Sequence, residues 1–158
     1  MTERSLADAL RETWFGADLA PETAARLAAC AYLQVLPAGR ELFHEGSESR
    51  ELGVLRSGRI ALRVHVPERG QVTILTVETG DIVGWSAIVP PYKATSTGIA
   101  LDEVEVLVFD GASLRELLAD PALAAAFYPR VLQAVARRLN ATRVQLLDLF
   151  GPERTEPW

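Results

Sequence analysis

The sequence predicts a mainly β domain, an antiparallel barrel or jelly roll, with helices before it and one long helix after it. The spacing of apolar residues changes from helical to alternating near Arg40 and returns to helical after Gly111. Glycines suited to tight turns punctuate the region between at fairly regular intervals, at Gly39, Gly46, Gly58, Gly70 and Gly80. At 158 residues, we expect one domain over residues 1–150 and a charged tail over residues 151–158.

Residues 1–37 are predicted to form a helical lead-in. Leu6, Leu10 and Trp14 recur every four residues, which gives a short first helix one apolar face. Pro21 suits the first turn of a second helix. The inner face of that second helix is predicted to comprise Leu27, Cys30, Ala31 and Leu33.

Residues 38–110 are predicted to form the jelly roll. Short apolar runs rich in β-branched residues alternate there with turn residues, as expected for strands. The predicted strands are residues 42–43, 52–55, 60–66, 72–77 and 104–109.

Residues 111–150 are predicted to be helical again. A short helix over 112–119 precedes Asp120 and Pro121, which are a good cap and first-turn residue for a long helix. Pro129 should bend that helix near its start. A seam that is apolar except for Thr142 runs along it in steps of three and four, at Ala125, Tyr128, Leu132, Val135, Leu139, Thr142, Leu146 and Leu149. This narrow seam favours a homodimer through the long helix over packing of the helix on its own barrel.

Composition argues against several classes of function. A net charge of −5 and a pI near 5.1 disfavour general binding to nucleic acid or to a membrane surface. His44 and His65 are isolated, so no metal site is expected, and Cys30 is expected to be a small buried residue. No nucleophile or acid–base constellation stands out, and no signal segment begins the chain. We expect a protein of the cytoplasm that is not an enzyme.

One glycine-rich loop, residues 80–97, could cradle an anion. Gly84 would let the backbone approach a ligand, the amides near Ser86 and Ala87 could face negative charge, and Lys93 could neutralise it. A polar surface loop between strands is the alternative interpretation.

Four motifs in this order resemble the cyclic-nucleotide-binding domain of the Crp-Fnr regulator family. Residues 37–46 resemble its first hairpin, 55–60 its second, and 80–84 the entry to its phosphate cassette. Residues 136–142 closely match the long helix of the catabolite activator of that family. The resemblance spans about residues 10 to 150. It implies a double-stranded β-helix that holds a small effector and passes the binding event to the long helix.

The resemblance also implies a ligand site in the 80–97 loop, with two altered contacts. Trp85 stands where family members that bind cyclic nucleotides have a glutamate, and an indole can only donate a hydrogen bond. The position of the phosphate-binding arginine falls at Lys93 or at Ala94, depending on one gap. The predicted ligand-binding residues are Gly84, Trp85, Ser86, Ala87, Lys93, Ala94, Thr95 and Thr142.

Thr142 matches the long-helix threonine that contacts the base in the catabolite activator. It could equally be a polar residue that fixes the register of the seam. In that family a helix-turn-helix follows the long helix, and the eight residues after Phe150 are too few to build one, so DNA is not an expected partner.

Two functions follow from these observations. The first is a sensor of a cyclic nucleotide or another phosphorylated effector. The second is an interaction scaffold, with an unknown protein partner, whose pocket has lost its ligand.

Overall fold

Two four-stranded antiparallel sheets form the centre of the protein, in a computed structural model that describes residues 2–151. The strands are β1 (Ala31–Leu36), β2 (Glu41–Phe43), β3 (Glu51–Ser57), β4 (Ile60–Val66), β5 (Gly70–Val77), β6 (Ile82–Val83), β7 (Thr97–Ala100) and β8 (Val104–Asp110). Their order is β1-β8-β3-β6 in one sheet and β2-β7-β4-β5 in the other. This arrangement confirms the predicted jelly roll.

The helices flank the sheets as the sequence predicts. They are α1 (Glu3–Arg11), α2 (Pro21–Ala28), α3 (Gly111–Leu117) and α4 (Pro121–Leu149), and a 3₁₀ turn lies at Trp85–Ala87. None of the described helices combines the length and the apolar character needed to cross a bilayer. The predicted tail lies, from residue 152 onward, outside the described residues.

The helical prediction for residues 31–36 is wrong, because this segment is strand β1. All six of its residues pair with β8, from Ala31 opposite Phe109 to Leu36 opposite Val104. A short apolar run fits both the helical period and the alternating period of a strand. This segment becomes a strand because β8 supplies hydrogen-bond partners for its backbone. The first sheet therefore begins at residue 31. The short strands β6 and β7 were also missing from the prediction.

The sheet containing β8 separates two apolar cores. Side chains alternate along β8, so Leu107 and Phe109 face the helices while Val106 and Val108 face the second sheet. All four are at least 95 % buried. The helix-facing core anchors α4, and the core between the sheets surrounds the space in which a ligand could lie.

Aspartates begin the two helices after the jelly roll. The Asp110 carboxylate accepts a hydrogen bond from the Ser113 amide at 2.8 Å, and Asp120 accepts from the Ala122 amide at 2.9 Å. Arg26 also donates to Asp120 at 2.6 Å, and this bond, ahead of the backbone bond, holds the pKa of Asp120 below its usual value. The predicted start of the long helix at Asp120 and Pro121 is confirmed.

One face of α4 packs on the body of the domain. Leu123, Phe127, Val131 and Ala134 are its buried residues. The ring of Phe127 meets Phe15 edge to face, with centroids 5.3 Å apart, so the N-terminal segment helps to hold this helix. From Leu139 to its end, α4 is exposed in the single chain.

Candidate functional site

The 80–97 loop turns sharply at Gly84. Its φ of +70° is left-handed, and a Cβ atom there would lie 2.3 Å from the carbonyl oxygen of Glu51. Both facts require glycine at this position. The 3₁₀ turn follows at once, with the Ala87 amide donating to the Gly84 carbonyl at 3.0 Å.

Arg115 of α3 clamps the middle of the loop. Its Nη1 donates to the Ala87 carbonyl at 2.6 Å, and its guanidinium carbon lies 4.4 Å from the centroid of the Tyr92 ring. A hydrogen bond and a cation–π contact from one side chain thus tie the two halves of the loop together.

The returning half of the loop is bonded to the segment after β2. The Ala94 amide donates to the Ser47 carbonyl at 2.9 Å, and the Gly46 amide donates to the Ala94 carbonyl at 2.8 Å. The Ser49 amide donates to the Tyr92 carbonyl at 2.8 Å. The loop is therefore fixed to two neighbours and is not a free surface turn.

A small cavity, called here the cassette cavity, lies between this loop, the sheets and α4. Its volume is about 20 Å³, on the order of one water molecule. Its lining comprises Phe43, Ser49, Leu62, Gly84, Trp85, Ser86, Ala94, Thr95, Ser96 and Arg138. Three large side chains, Phe43, Trp85 and Arg138, are among these residues and leave little space.

Arg138 brings a buried positive charge from α4 to this cavity. Only 12 % of its side chain is exposed, and within residues 2–151 its Nε and Nη2 have no hydrogen-bond partner. Burial lowers the pKa of Arg138, and the Asp81 carboxylate opposes that shift. Unpaired buried donors of this kind are costly and are favourable sites for an anion.

The structure brings five of the eight predicted ligand-binding residues to the cavity. These are Gly84, Trp85, Ser86, Ala94 and Thr95. Ala87 is fully buried in the helix-facing core, and Lys93 is exposed and pairs with Glu48 in an isolated β-bridge. Thr142 is exposed on α4, where its hydroxyl donates to the Arg138 carbonyl at 2.9 Å. Ligand binding by Ala87, Lys93 and Thr142 stays a prediction.

Sequence reasoning missed Arg138 as a site residue. The sequence could have indicated it, because position 138 continues the three- and four-residue steps of the buried α4 positions 123, 127, 131 and 134. A charged residue on the inner face of a helix needs a partner or a function. Two buried serines that line the cavity, Ser49 and Ser96, carried no such signal.

The predicted seam lies on another face of α4 and is exposed in the single chain. Leu132 is 69 % exposed, Leu139 50 % and Leu149 79 %. Within the described residues, no cluster of three or more His, Cys, Asp or Glu side chains could hold a metal ion.

Comparison with known families decides the identity of this fold. The family described as "Cyclic nucleotide-binding domain" matches residues 33–120, more than half of the chain. The chain belongs to this family. The match includes every strand from β2 to β8 and the whole 80–97 loop. Every residue named above as lining the cassette cavity lies within the matched range except Arg138 of α4.

Known proteins similar to this domain include regulators of transcription. It is 30 % identical over 116 residues to the CRP-like cAMP-activated global transcriptional regulator of Mycobacterium tuberculosis. That match includes 72 % of this chain and 50 % of the regulator, so the chain spans about half the length of the curated relatives it matches.

Two solved structures share the fold over most of the chain. A putative cyclic nucleotide-binding protein from Geobacter metallireducens is 30 % identical, with a TM-score of 0.75 over 84 % of this chain and 97 % of that one. A cyclic nucleotide-binding domain from Methylobacillus flagellatus is 20 % identical, with a TM-score of 0.79 over 96 % of this chain and 86 % of that one.

Proposed function

We propose that this protein is a non-catalytic regulatory domain of the cytoplasm that binds a small anionic effector in the cassette cavity. Arg138 carries the proposal, because it lines the cavity and two of its buried nitrogens lack a partner among the described residues. An effector oxygen that accepts from these groups would form a charge-assisted hydrogen bond with a desolvated cation.

The effector class that fits this chemistry is a phosphorylated metabolite, with cyclic nucleotides first. The relative from Mycobacterium tuberculosis is named as cAMP-activated, which makes cyclic AMP the first candidate. Ser49, Ser86 and Ser96 add hydroxyl groups to the lining. Trp85 adds an aromatic wall and no carboxylate, so we expect the ribose hydroxyl to lack its usual acceptor.

Binding of any nucleotide requires side chains to move, since the cavity of about 20 Å³ is far too small for one. Arg138 belongs to α4, so a shift of its side chain acts directly on that helix. We propose that the effector selects a second arrangement of α4, and that the change from one arrangement to the other reports effector binding.

The partner of α4 in this proposal is a second copy of the chain. The exposed leucines at 132, 139, 146 and 149 follow the heptad spacing of a two-helix seam. A net charge of −5 makes direct DNA binding by this domain an unfavourable alternative.

Calorimetry and thermal shift with cyclic mononucleotides, cyclic dinucleotides and other phosphorylated metabolites test the proposal. We expect at least one to raise the melting temperature by mass action. Arg138→Gln should weaken its binding by about thirtyfold or more, which corresponds to the ~2–5 kcal/mol range for a desolvated charge contact. Arg137→Gln is the matched control, because its guanidinium stacks on Trp14 at 4.4 Å and does not line the cavity.

The Lys93→Ala variant tests the prediction, made from the sequence, that Lys93 neutralises the charge of a bound anion. Because Lys93 is exposed, we expect its loss to weaken anion binding by less than about fivefold. If Lys93→Ala abolishes binding and Arg138→Gln does not, the anion lies at the loop surface and the proposal for Arg138 fails.

An interaction scaffold is the second candidate function. The observation that favours it is the small cavity, together with an exposed apolar stretch of α4. If no compound of the panel shifts melting while the chain self-associates, the scaffold replaces the sensor.

A further inference from the structure

A second and much larger cavity lies between the two sheets, on the other side of Phe43. This inter-sheet cavity has a volume of about 320 Å³, within the roughly 300–1,000 Å³ of small-molecule sites. Its lining comprises Gln34, Leu42, Phe43, Ser47, Glu48, Ser49, Arg50, Glu51, Gly53, Val83, Val106 and Val108. Phe43 and Ser49 also line the cassette cavity, so the two spaces share one wall.

The floor of the inter-sheet cavity is apolar and closely packed. Val83, Val106 and Val108 are each at least 95 % buried and line it from β6 and β8. A Cβ atom at Gly53 would lie 2.7 Å from Val106 and 2.9 Å from Val83, so the two valines close over the glycine backbone. Such a floor suits an aromatic or branched apolar group.

The aromatic wall is held in place by a second glycine. The ring of Phe43 lies against Gly98, where a Cβ atom would come within 2.6 Å of the ring. A larger residue at position 98 would force that ring to move, so glycine lets Phe43 pack directly on β7.

The mouth of this cavity carries uncompensated negative charge. Arg50 donates to Glu48 Oε2 from both Nε and Nη2, at 3.0 and 2.9 Å, which pairs these two residues. Glu51 accepts from the Tyr32 hydroxyl at 2.7 Å. Burial and the bond to Glu51 raise the pKa of Tyr32 to about 12, so the phenol is a neutral donor. A neutral donor leaves the Glu51 carboxylate with its negative charge.

We propose that the inter-sheet cavity binds a small aromatic amine, with its ring on the valine floor beside Phe43 and its ammonium group at Glu51. The volume suits a small molecule, the apolar floor suits an aromatic ring, and the negative charge of the mouth attracts an ammonium group. The proposal does not rest on effector binding in the cassette cavity, since Arg138 does not line the inter-sheet cavity.

Titration of the ¹⁵N-labelled chain with 2-phenylethylammonium tests this site by NMR, with 2-phenylethanol and 3-phenylpropanoate as neutral and anionic analogues. We expect saturable shifts at the amides of Gly53, Val83, Val106 and Val108. The amine should bind best and the carboxylate worst. Glu51→Gln should reduce the preference for amine over alcohol by about two- to fivefold, whereas the exposed Glu103→Gln should not.

Leu42→Trp should remove binding of the amine and the alcohol, because a larger side chain on the wall occupies the space. If that variant does not fold, the Glu51→Gln comparison still decides. Absence of saturable shifts, shifts confined to other residues, or equal binding of amine and carboxylate would each overturn the proposal.

Discussion

Arg138 Nη2 lies 3.7 Å from Asp81 Oδ1, so the guanidinium and the carboxylate attract each other without sharing a hydrogen bond. The Asp81 oxygen accepts instead from the Ile82 amide at 2.8 Å. A buried cation with an incomplete partner opposes folding in the absence of an anion.

Arg138→Met should therefore stabilise the free protein. A methionine of similar length removes the desolvated charge, and we expect the free energy of unfolding in urea to rise by about 1 kcal/mol or more. The same variant should lose affinity for any anionic effector. Arg137→Met, which removes only the stacking on Trp14, should lower stability by about 0.5–1 kcal/mol. A clear loss of stability in Arg138→Met would mean that the arginine is well satisfied in the native state.

Gly84→Ala should be much more destabilising than Gly39→Ala. Both glycines have left-handed φ angles, +70° and +83°, so both alanines are strained by about 1–2 kcal/mol. Only at Gly84 does the new Cβ atom meet backbone, at 2.3 Å, whereas no atom lies within 4 Å at Gly39. We expect a further loss of about 2 kcal/mol or more at Gly84, measured by thermal melting. Equal losses of stability in the two variants would show that the loop rearranges to accept the new Cβ atom without a loss of free energy.

Leu139→Asp should convert the proposed dimer to a monomer in sedimentation velocity. The side chain is 50 % exposed in the single chain and lies on the heptad seam, so a carboxylate there would be buried against its own copy. Leu147→Asp is the control, since Leu147 is 70 % exposed and lies off that seam. A dimer of unchanged strength in Leu139→Asp would remove the seam from the interface.

Cys30 should react slowly with alkylating reagents in the folded protein. Burial raises the pKa of its thiol to about 11, and Sγ donates to the Leu27 carbonyl at 3.2 Å. At pH 8 the thiolate fraction is then about two-hundredfold smaller than for a free thiol of pKa ~8.5. Iodoacetamide labelling, followed by mass spectrometry, should accelerate as the pH rises towards 11 and on unfolding in urea. Rapid labelling at pH 8 without denaturant would contradict this assignment.

The sequence predicted most of the barrel because strand signals and turn glycines are local. Strand β4 was predicted with its observed bounds, Ile60–Val66, since alternation persists through seven residues. Strand β1 was missed because Leu27, Cys30, Ala31 and Leu33 also fit a helical period. Only pairing with β8, more than 60 residues away, distinguishes the two.

The candidate site was predicted in part for the same reason. Trp85, Ser86 and Thr95 were found because the 80–97 loop carries its own local motif. Arg138 was not predicted as a site residue, because it lines the cavity only when α4 packs beside the loop. Lys93, the predicted cation, is exposed and does not line the cavity, and its backbone pairs with Glu48 in a β-bridge.

The sequence by itself determined the order of helix, barrel and long helix, because hydrophobic period, turn glycines and the Asp120–Pro121 start are local properties. The tertiary structure alone decided that Arg138 reaches the cassette cavity and that a cavity of ligand size opens between the sheets. Packing of Phe127 on Phe15 helps to seat α4 so that Arg138 enters the cassette cavity. Gly53 and Gly98 let the valine floor and Phe43 close around the larger one. These contacts join residues far apart in the chain, so no local pattern encodes them.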